Sequence, residues 1–476
     1  MKKLITLLFA AMTISVMAQD STGDAKRFSV HFQQTFVDQY HPGFATSTGS
    51  GDKSLSSSPE TCLSSTTTLY IGAKLWKGGE IYFNPEIAAG SGFSGATGLA
   101  GFPNGETFRV GSPAPSLYIA RLFFRQTIPI GKEMIHRDED QNKLPMMVPA
   151  ERVIITFGKF SVSDLFDGTV TSHDPKTSLL NWSMMDAGAW DYPSNTRGYT
   201  YALSVKVVKK HYTIRFCSAV AALWSNGLVT EGFVATPTDW IHSHGETAEL
   251  IVPIKTKKHS SSIKLTLWAN HAPMGSYKLA TASLIANPDS ANREVVGPTT
   301  GLNDGSSHLV SPAMDSVRGK SEPYYGKVGV ILSWEMNLKP GDITENNMMF
   351  VRLSWNDGKR ESWMYTEIDE SACLGAFFSA EKIKRPDDVF RISMAVNGIS
   401  KDHAAYLQNG GYGFIIGDGL GHYPKGIHPE IVEEIQYNFK YKFLTITPDY
   451  QFFINPAYNP ARGPVNVFSI RAHFEI

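Results

Sequence analysis

Apolar residues recur at every second position along many segments of this chain, and this alternation restricts its fold more than any other feature. The last segment, FSIRAHFEI at 468–476, places its apolar side chains on one face and Arg471, His473 and Glu475 on the other. The same alternation is present at 27–36, 198–206, 211–220, 263–270, 327–337, 349–356, 390–397 and 434–441. Because side chains two residues apart share a face of a strand, each segment predicts a strand with one apolar and one polar face.

The polar faces of these strands carry Arg, Lys, Glu and His, whereas the opposite faces are aliphatic and aromatic. A soluble β-sandwich rarely combines the two over so many strands, but a membrane barrel does, with one face toward lipid and one toward the lumen. Beyond the N-terminal leader no run of about 18 apolar residues occurs, which excludes a helical membrane protein. The sequence therefore predicts an all-β, transmembrane antiparallel β-barrel.

Connections of two sizes support the barrel. Tight turns such as 77–79 contrast with long polar stretches at 39–65 and 287–323, and outer-membrane barrels combine short periplasmic turns with longer extracellular loops. The stretch at 90–101 fits GxGxxG, but it is too rich in glycine to open a nucleotide-binding helix. We expect it to form a compact loop that folds against the barrel wall or into its mouth.

The N-terminus indicates export. Met1-Lys2-Lys3 is a short basic region, residues 4–16 are largely apolar, and Ala18 is a small residue at the expected cleavage position. We expect residues 1–18 to be a signal peptide and residues 19–476 to form one barrel domain in the outer membrane. The 44 Lys and Arg residues nearly balance the 45 Asp and Glu residues, so the charge does not indicate a nucleic-acid partner.

Several long segments resemble one family. The sequence at 79–126, GEIYFNPEIAAGSGFSGATGLAGFPNGETFRVGSPAPSLYIARLFFRQ, resembles the carbohydrate-selective porins of bacterial outer membranes, the OprB type. The resemblance continues in GKFSVSDLFDG from 158, SHDPKTSLLNWSMMDAGAWDYPSNTRGYTY from 172, GGYGFIIGDG from 410 and INPAYNPARGPVNVFSIRAHFEI from 454. One departure is Ile476, where such barrels more often end in an aromatic residue.

The resemblance implies a barrel of sixteen strands, with short periplasmic turns and long extracellular or in-folding loops, through which mono- and oligosaccharides diffuse passively into the periplasm. It implies a channel and not an enzyme, without a cofactor. The expected partners are the transported sugars, outer-membrane lipid and the barrel-assembly machinery, which would receive the C-terminal strand. Association into a homo-oligomer is left open, and no nucleic-acid partner is expected.

Two arginines are the first candidates for a site on the sugar path. Arg121 and Arg125 share one face of the strand after the glycine-rich loop, while Tyr118 falls on the opposite face. The cost of a charge in lipid directs both arginines into the lumen, where they form a ladder. Guanidinium groups offer donors to sugar hydroxyls. The alternative is a structural ladder paired with acids across the barrel.

The other candidates supply acceptors and aromatic surface. Glu80 and Glu86 lie on the polar side of the preceding strand, and Glu106 and Arg109 lie in the connecting loop, where they could line a constriction or form loop-stabilising salt bridges. Trp190 and Asp191 could form a sugar platform beside a carboxylate, with a structural aromatic anchor as the alternative. By the same alternation, Tyr199 falls on the apolar face of its strand with Tyr201.

Other functions were weighed against these residues. An anion-preferring or general porin without sugar selectivity is the alternative, because the predicted lumen faces carry more cations than acids: Arg121, Arg125, Arg215, Lys264, Arg352, Arg391, Lys440 and Arg471. Ser172, His173 and Asp174 are adjacent in sequence, unlike the members of a working catalytic triad. No catalytic residue and no metal site are predicted, and the three widely spaced cysteines form neither a disulfide framework nor a zinc motif.

Overall fold

A computed structural model describes residues 26–47, 54–107, 113–167, 173–222, 237–256, 259–288, 311–318, 326–339, 346–417 and 423–476. The predicted signal peptide and the expected mature start at Gln19 lie outside these ranges. No helix within them has the length and hydropathy to span a bilayer.

Sixteen strands of the described chain close into one antiparallel barrel, which confirms the predicted fold. In chain order they are β1 (Phe28–His41), β2 (Glu60–Trp76), β3 (Gly79–Gly90), β4 (Ser116–Pro129), β7 (Arg152–Phe160), β8 (Thr200–Val208), β9 (Thr213–Val220), β10 (His244–Lys255), β11 (Ser260–His271), β12 (Lys327–Asn337), β13 (Met348–Asn356), β14 (Glu370–Ala380), β15 (Arg385–Gly398), β16 (Glu430–Tyr441), β17 (Leu444–Ile454) and β18 (Val465–Glu475). Strands β5 (Met134–Arg137) and β6 (Met146–Pro149) form a separate hairpin.

The predicted faces of the last strand are confirmed. Ile470 is 58% exposed on the outer surface, whereas Arg471 is fully buried inside the barrel. Strand β18 closes the barrel against β1, with Arg471 directly opposite Val37. Because each strand contributes outward apolar side chains in this way, the barrel presents an apolar surface to the surrounding lipid.

The connections fall into two sizes, as predicted. Short turns at 77–78, 209–212, 381–384 and 442–443 lie at one end of the barrel, and longer connections at 42–59, 91–115, 161–199 and 399–429 lie at the other. The loop expected at 39–65 is shorter, because β1 continues to His41 and β2 begins at Glu60. Ser64, Thr66 and Thr68 are buried on the lumen face of β2, where hydroxyl groups can form hydrogen bonds.

Five helices lie in the described parts of the connections: α1 (Trp182–Met185), α2 (Pro237–His242), α3 (Tyr277–Ala286), α4 (Pro312–Asp315) and α5 (Lys401–Gln408). Helices α3, α4 and α5 pack on one another, with Tyr277 and Tyr406 buried among them. The stretch at 298–307, which we expected to be a surface loop, lies outside the described residues.

Two long connections fold into the barrel. The connection at 91–115 buries Phe93, Leu99 and Phe102 completely, which confirms the expected in-folding of the glycine-rich stretch. Gly98 has a φ of +90°, and a Cβ there would lie 2.0 Å from the backbone nitrogen of Leu55, so only glycine fits. The connection at 161–199 packs against it through α1, and together they fill much of the lumen.

The β5–β6 hairpin enters the lumen from the short-turn end, which the alternation did not predict. It belongs to the connection between β4 and β7. At its tip, the Asn142 carbonyl accepts a hydrogen bond from Arg125 Nη1 at 2.9 Å. The Gln141 side-chain amide donates to Gln33 and Glu475, at 3.0 Å each, so the hairpin crosses from β4 to the β1–β18 wall.

Candidate functional site: a lumen cavity

A cavity of about 750 Å³ remains between the in-folded connections and one side of the barrel. Its wall is formed by β2, β3, β4, β7, β8 and β9, which we call the open wall. The β5–β6 hairpin borders it near the short turns, and the connections at 91–115 and 161–199 border it elsewhere. Four predicted residues line this cavity: Glu86, Glu106, Arg121 and Arg125.

A β-bulge in β4 brings an unexpected tyrosine to the cavity. Arg121 lies opposite Asn84, but Ile119 lies opposite the next residue, Pro85, so Ala120 is an extra residue in β4. An extra residue reverses the facing of everything before it. Tyr118 therefore lies on the lumen side with Arg121, and the expectation that it faces outward is wrong.

Tyr199 is a second correction. It lines the cavity, because β8 begins one residue later at Thr200 and the outward alternation does not reach back to it. The Asn195 side-chain oxygen accepts a hydrogen bond from the Tyr199 backbone N–H at 3.1 Å, which holds this turn. The alternation gave no signal for either tyrosine, since a bulge and a strand start are both set by the neighbouring chain.

Glu86 joins these rings. Its carboxylate accepts hydrogen bonds from the hydroxyls of Tyr118, Tyr199 and Thr68, with 3.1 Å between Tyr199 Oη and Glu86 Oε1. The two tyrosine ring centroids lie 6.1 Å apart. The result is an aromatic pair fixed on a buried acceptor at the open wall.

Arg121 is held as a fork against an acid from the opposite side. Its Nε and Nη2 atoms donate to the two Asp164 oxygens at 2.7 and 2.6 Å, and its guanidinium lies 5.0 Å from the Tyr199 ring centroid. A bidentate pair of this kind fixes both side chains. Asp164 belongs to the connection at 161–199, so the ion pair ties that connection to β4.

His173 and Lys176 extend this charged cluster along the same connection. His173 Nδ1 lies 2.9 Å from Asp186 Oδ1, and Lys176 Nζ lies 3.1 Å from Glu106 Oε1. Burial would lower the pKa of His173, but the Asp186 and Asp164 carboxylates raise it to about 10, so the ring is a cation at neutral pH. Burial would raise the pKa of Asp164, but Arg121 and His173 hold that pKa below its usual range.

Arg125 lies nearer the short-turn end. Its guanidinium lies 5.1 Å from the Tyr82 ring centroid and 5.3 Å from that of Phe123, and these two rings stack at 5.1 Å. Arg121 and Arg125 therefore form the predicted ladder, but only Arg121 has a carboxylate ion pair. Aromatic rings beside planar cations are surfaces on which the apolar face of a sugar can lie.

The remaining predicted residues lie elsewhere. Glu80 is buried away from the cavity, where it pairs with Arg137 of the hairpin. Arg109 lies outside the described residues. Trp190 is fully buried, and the Asp191 carboxylate accepts the backbone N–H groups of 363–365 at 2.8 to 3.0 Å. Both residues occupy the structural-anchor position, not a platform on the cavity.

Much of the predicted cation surplus is neutralised on the far side of the lumen. Arg352 pairs with Asp167 at 3.0 Å, and Arg471 donates to the carbonyls of Pro175 and Ser178. Glu434 accepts the backbone N–H groups of 180 and 181 at 2.7 and 3.0 Å. Strands β13–β18, which we call the packed wall, thus anchor the in-folded connections.

A closed sixteen-stranded barrel with an apolar outer surface and a polar cavity defines an outer-membrane diffusion channel. The model of the carbohydrate-selective porin, OprB family, matches residues 52–476, and the chain belongs to this family. The protein is therefore a carbohydrate-selective porin of the bacterial outer membrane, and its family and fold are those of a channel rather than an enzyme.

Solved structures share the fold at low sequence identity. The high-pH structure of Pseudomonas putida OprB has a TM-score of 0.62 and 13% identity, with 94% of each chain covered. A loop L8 deletion mutant of OmpT, an outer membrane protein of Vibrio cholerae, has a TM-score of 0.45 and 9% identity, covering 95% of this chain and 100% of that one. A search of curated proteins gave no match.

Proposed function

We propose that sugars cross this porin through the cavity beside the open wall, and that Tyr118, Tyr199, Glu86, Arg121 and Asp164 select them. The observation that carries the proposal is the combination of two lumen tyrosine rings with a fixed guanidinium fork. A pyranose ring has an apolar face for the aromatic surface and hydroxyls for the charged groups.

The selection depends on weak contacts. Arg121 and Asp164 satisfy each other when the path is empty, so a sugar gains only the hydrogen-bonding capacity that remains on the two groups. A channel must release what it binds, and modest affinity at several points along the path serves passive diffusion. Single substitutions should therefore change the preference among solutes without abolishing flux.

Liposome swelling with purified protein tests this proposal. Tyr118→Ala with Tyr199→Ala removes both rings and should lower the swelling ratio of D-glucose to a similar-sized polyol by about two- to fivefold. Tyr441→Ala is the matched control, because Tyr441 is 68% exposed beside the turn at 442–443. A ratio that stays unchanged in the double variant, while the polyol enters faster, would make the rings a size filter only.

We further infer that residues 1–18 are removed on export, and that the barrel-assembly machinery receives residues 19–476 through β18 and inserts them into outer-membrane lipid. The leader composition and the outward apolar residues of β18 support this. The intact mass of the membrane-extracted protein tests the cleavage, and its native mass in detergent gives the oligomeric state. A mass that still includes Met1 to Ala18 contradicts the first part.

A further inference from the structure

The charges of the cavity are arranged differently at its two ends. Toward the long connections, each of three lining carboxylates has a cationic partner: Asp164 with Arg121, Asp186 with His173, and Glu106 with Lys176. Toward the short turns, the open wall presents a group of cations, which we call the exit cluster: Arg125, Arg152, Lys206 and Arg215.

Lys206 is the least compensated member of this cluster. In the β8–β9 register it lies directly opposite Arg215, and in the β7–β8 register it lies opposite Ile154. Like charges directly opposite each other destabilise a sheet. Throughout the part of the chain that the structure describes, Lys206 forms no hydrogen bond and no ion pair.

The acid nearest to this pair is already engaged. Glu249 faces Arg215 across the next register and accepts from Arg215 Nη1 at 3.3 Å. The same carboxylate also accepts from the Thr266 hydroxyl at 3.1 Å and from the Asp167 backbone N–H at 3.2 Å. With its acceptors shared in this way, Glu249 compensates Arg215 and leaves the charge of Lys206 directed toward the cavity.

The other two members of the exit cluster are held by carbonyls, which fix a guanidinium without cancelling its charge. Arg125 donates to the Asn142 carbonyl, and Arg152 Nη1 donates to the carbonyls of Pro149 and Ala150 at 2.8 and 3.0 Å. All three carbonyls belong to the connection that carries the β5–β6 hairpin. The hairpin thus orients two cations of the exit, and its own Asp140 pairs with Lys143 at 2.6 Å.

Hydroxyl groups lie in the same rows of the sheet. Thr156 pairs with Arg125 on one side and with Ser204 on the other, one step along the barrel from the Ile154, Lys206 and Arg215 row. Thr156 and Ser204 both line the cavity. The exit therefore combines uncancelled positive charge with neutral donors and acceptors, which is what a solute carrying one carboxylate and several hydroxyls requires.

We propose that the exit cluster receives the carboxylate of an acidic sugar, a hexuronate or an aldonate, on its way to the periplasm. This inference rests on the proposed function, since the sugar must first pass the tyrosine pair of the same cavity. Lys206 and Arg125 take the carboxylate, while Thr156 and Ser204 exchange hydrogen bonds with hydroxyls of the sugar. A neutral hexose passes the same segment without the charge-assisted contact.

Paired flux measurements in proteoliposomes test the proposal. D-glucuronate and D-glucose share the ring and differ by the carboxylate, and acetate serves as a small anion without a ring. Lys206→Gln should lower the glucuronate-to-glucose flux ratio by about three- to tenfold, and Lys206→Arg should retain most of it. Lys440→Gln is the matched control, because Lys440 is exposed near the end of β16 and does not line the cavity.

Each outcome separates the two proposals. A glucuronate-to-glucose ratio that is equal in the wild type and in Lys206→Gln overturns the acidic-sugar inference, even where glucose still outpaces the polyol. An acetate flux that falls by the same factor as glucuronate also overturns it, because the cluster is then a general anion site. Failure of the proposed function is seen separately, as the same glucose-to-polyol ratio with and without the two tyrosines.

Discussion

The two sides of the lumen have the same strand pattern and different uses for it. Both the packed wall and the open wall alternate outward apolar residues with inward polar and charged ones. On the packed wall, Arg352, Arg471 and Glu434 are consumed in fixing the in-folded connections. On the open wall, Arg125 and Lys206 face free space. A lumen charge is thus structural or functional according to whether a connection packs against it.

The largest expected effect is on the packed wall. Arg352→Ala leaves Asp167 buried without its partner, and breaking one side of a buried ion pair costs about 3–5 kcal/mol. Denaturant unfolding in lipid vesicles measures this cost. Arg385→Ala is the matched control, since Arg385 is 45% exposed in its pair with Asp388 and a surface pair contributes about 0–1 kcal/mol. Equal costs would mean that the packed wall does not anchor the connections.

The outer surface should not distinguish the two walls. Ile470→Arg on the packed wall and Leu203→Arg on the open wall should each cost about 2–4 kcal/mol near the bilayer midplane, since both side chains face lipid. Leu444→Arg, at the first residue of β17, should cost only about 0–1 kcal/mol near the interface. The same unfolding measurement applies, and a cost at Leu203 far below that at Ile470 would contradict the common lipid-facing surface.

A moderate effect is expected from the ladder of the open wall. Changing Arg121 and Arg125 together to Ala removes a fixed ion pair and a hairpin contact, so single-channel conductance should rise by about twofold while the glucose-to-polyol ratio falls. The control is again Arg385→Ala, which changes an arginine outside the cavity. If conductance rises at an unchanged ratio, the ladder shapes the pore without selecting sugars.

The smallest expected effect depends on pH. Because the folded barrel raises the pKa of His173 to about 10, the interaction of His173 with Asp186 and Asp164 stabilises the barrel fully below the unfolded pKa of about 6.5. That contribution is lost as the pH rises toward 10. The midpoint of heat-induced unfolding should therefore fall between pH 7 and pH 10 more in the wild type than in His173→Gln. Parallel profiles would show that His173 is not held as a cation.

The strand pattern was readable because lipid imposes it residue by residue. Every lipid-facing position must be apolar and every backbone group must pair within the barrel, so β18 shows its faces without any knowledge of its neighbours. Arg121 and Arg125 were placed correctly for the same reason, since no charge is stable on the outer face. Tyr118 and Tyr199 were misplaced because a tyrosine is acceptable on either face, and only the bulge and the start of β8 decide which one it takes.

The sequence by itself determined the barrel, the two sizes of connection, the in-folding glycine-rich loop and the family, because these depend on local alternation and on long matched segments. Only the tertiary structure decided which lumen charges face the cavity. Trp190 and Asp191 lie in one of the best-matched segments, yet both are buried among other connections, whereas Lys206 attracted no attention and lies at the exit. The physical reason is that a charge is cancelled or left available by a partner distant in the chain, and strand alternation carries no record of that partner.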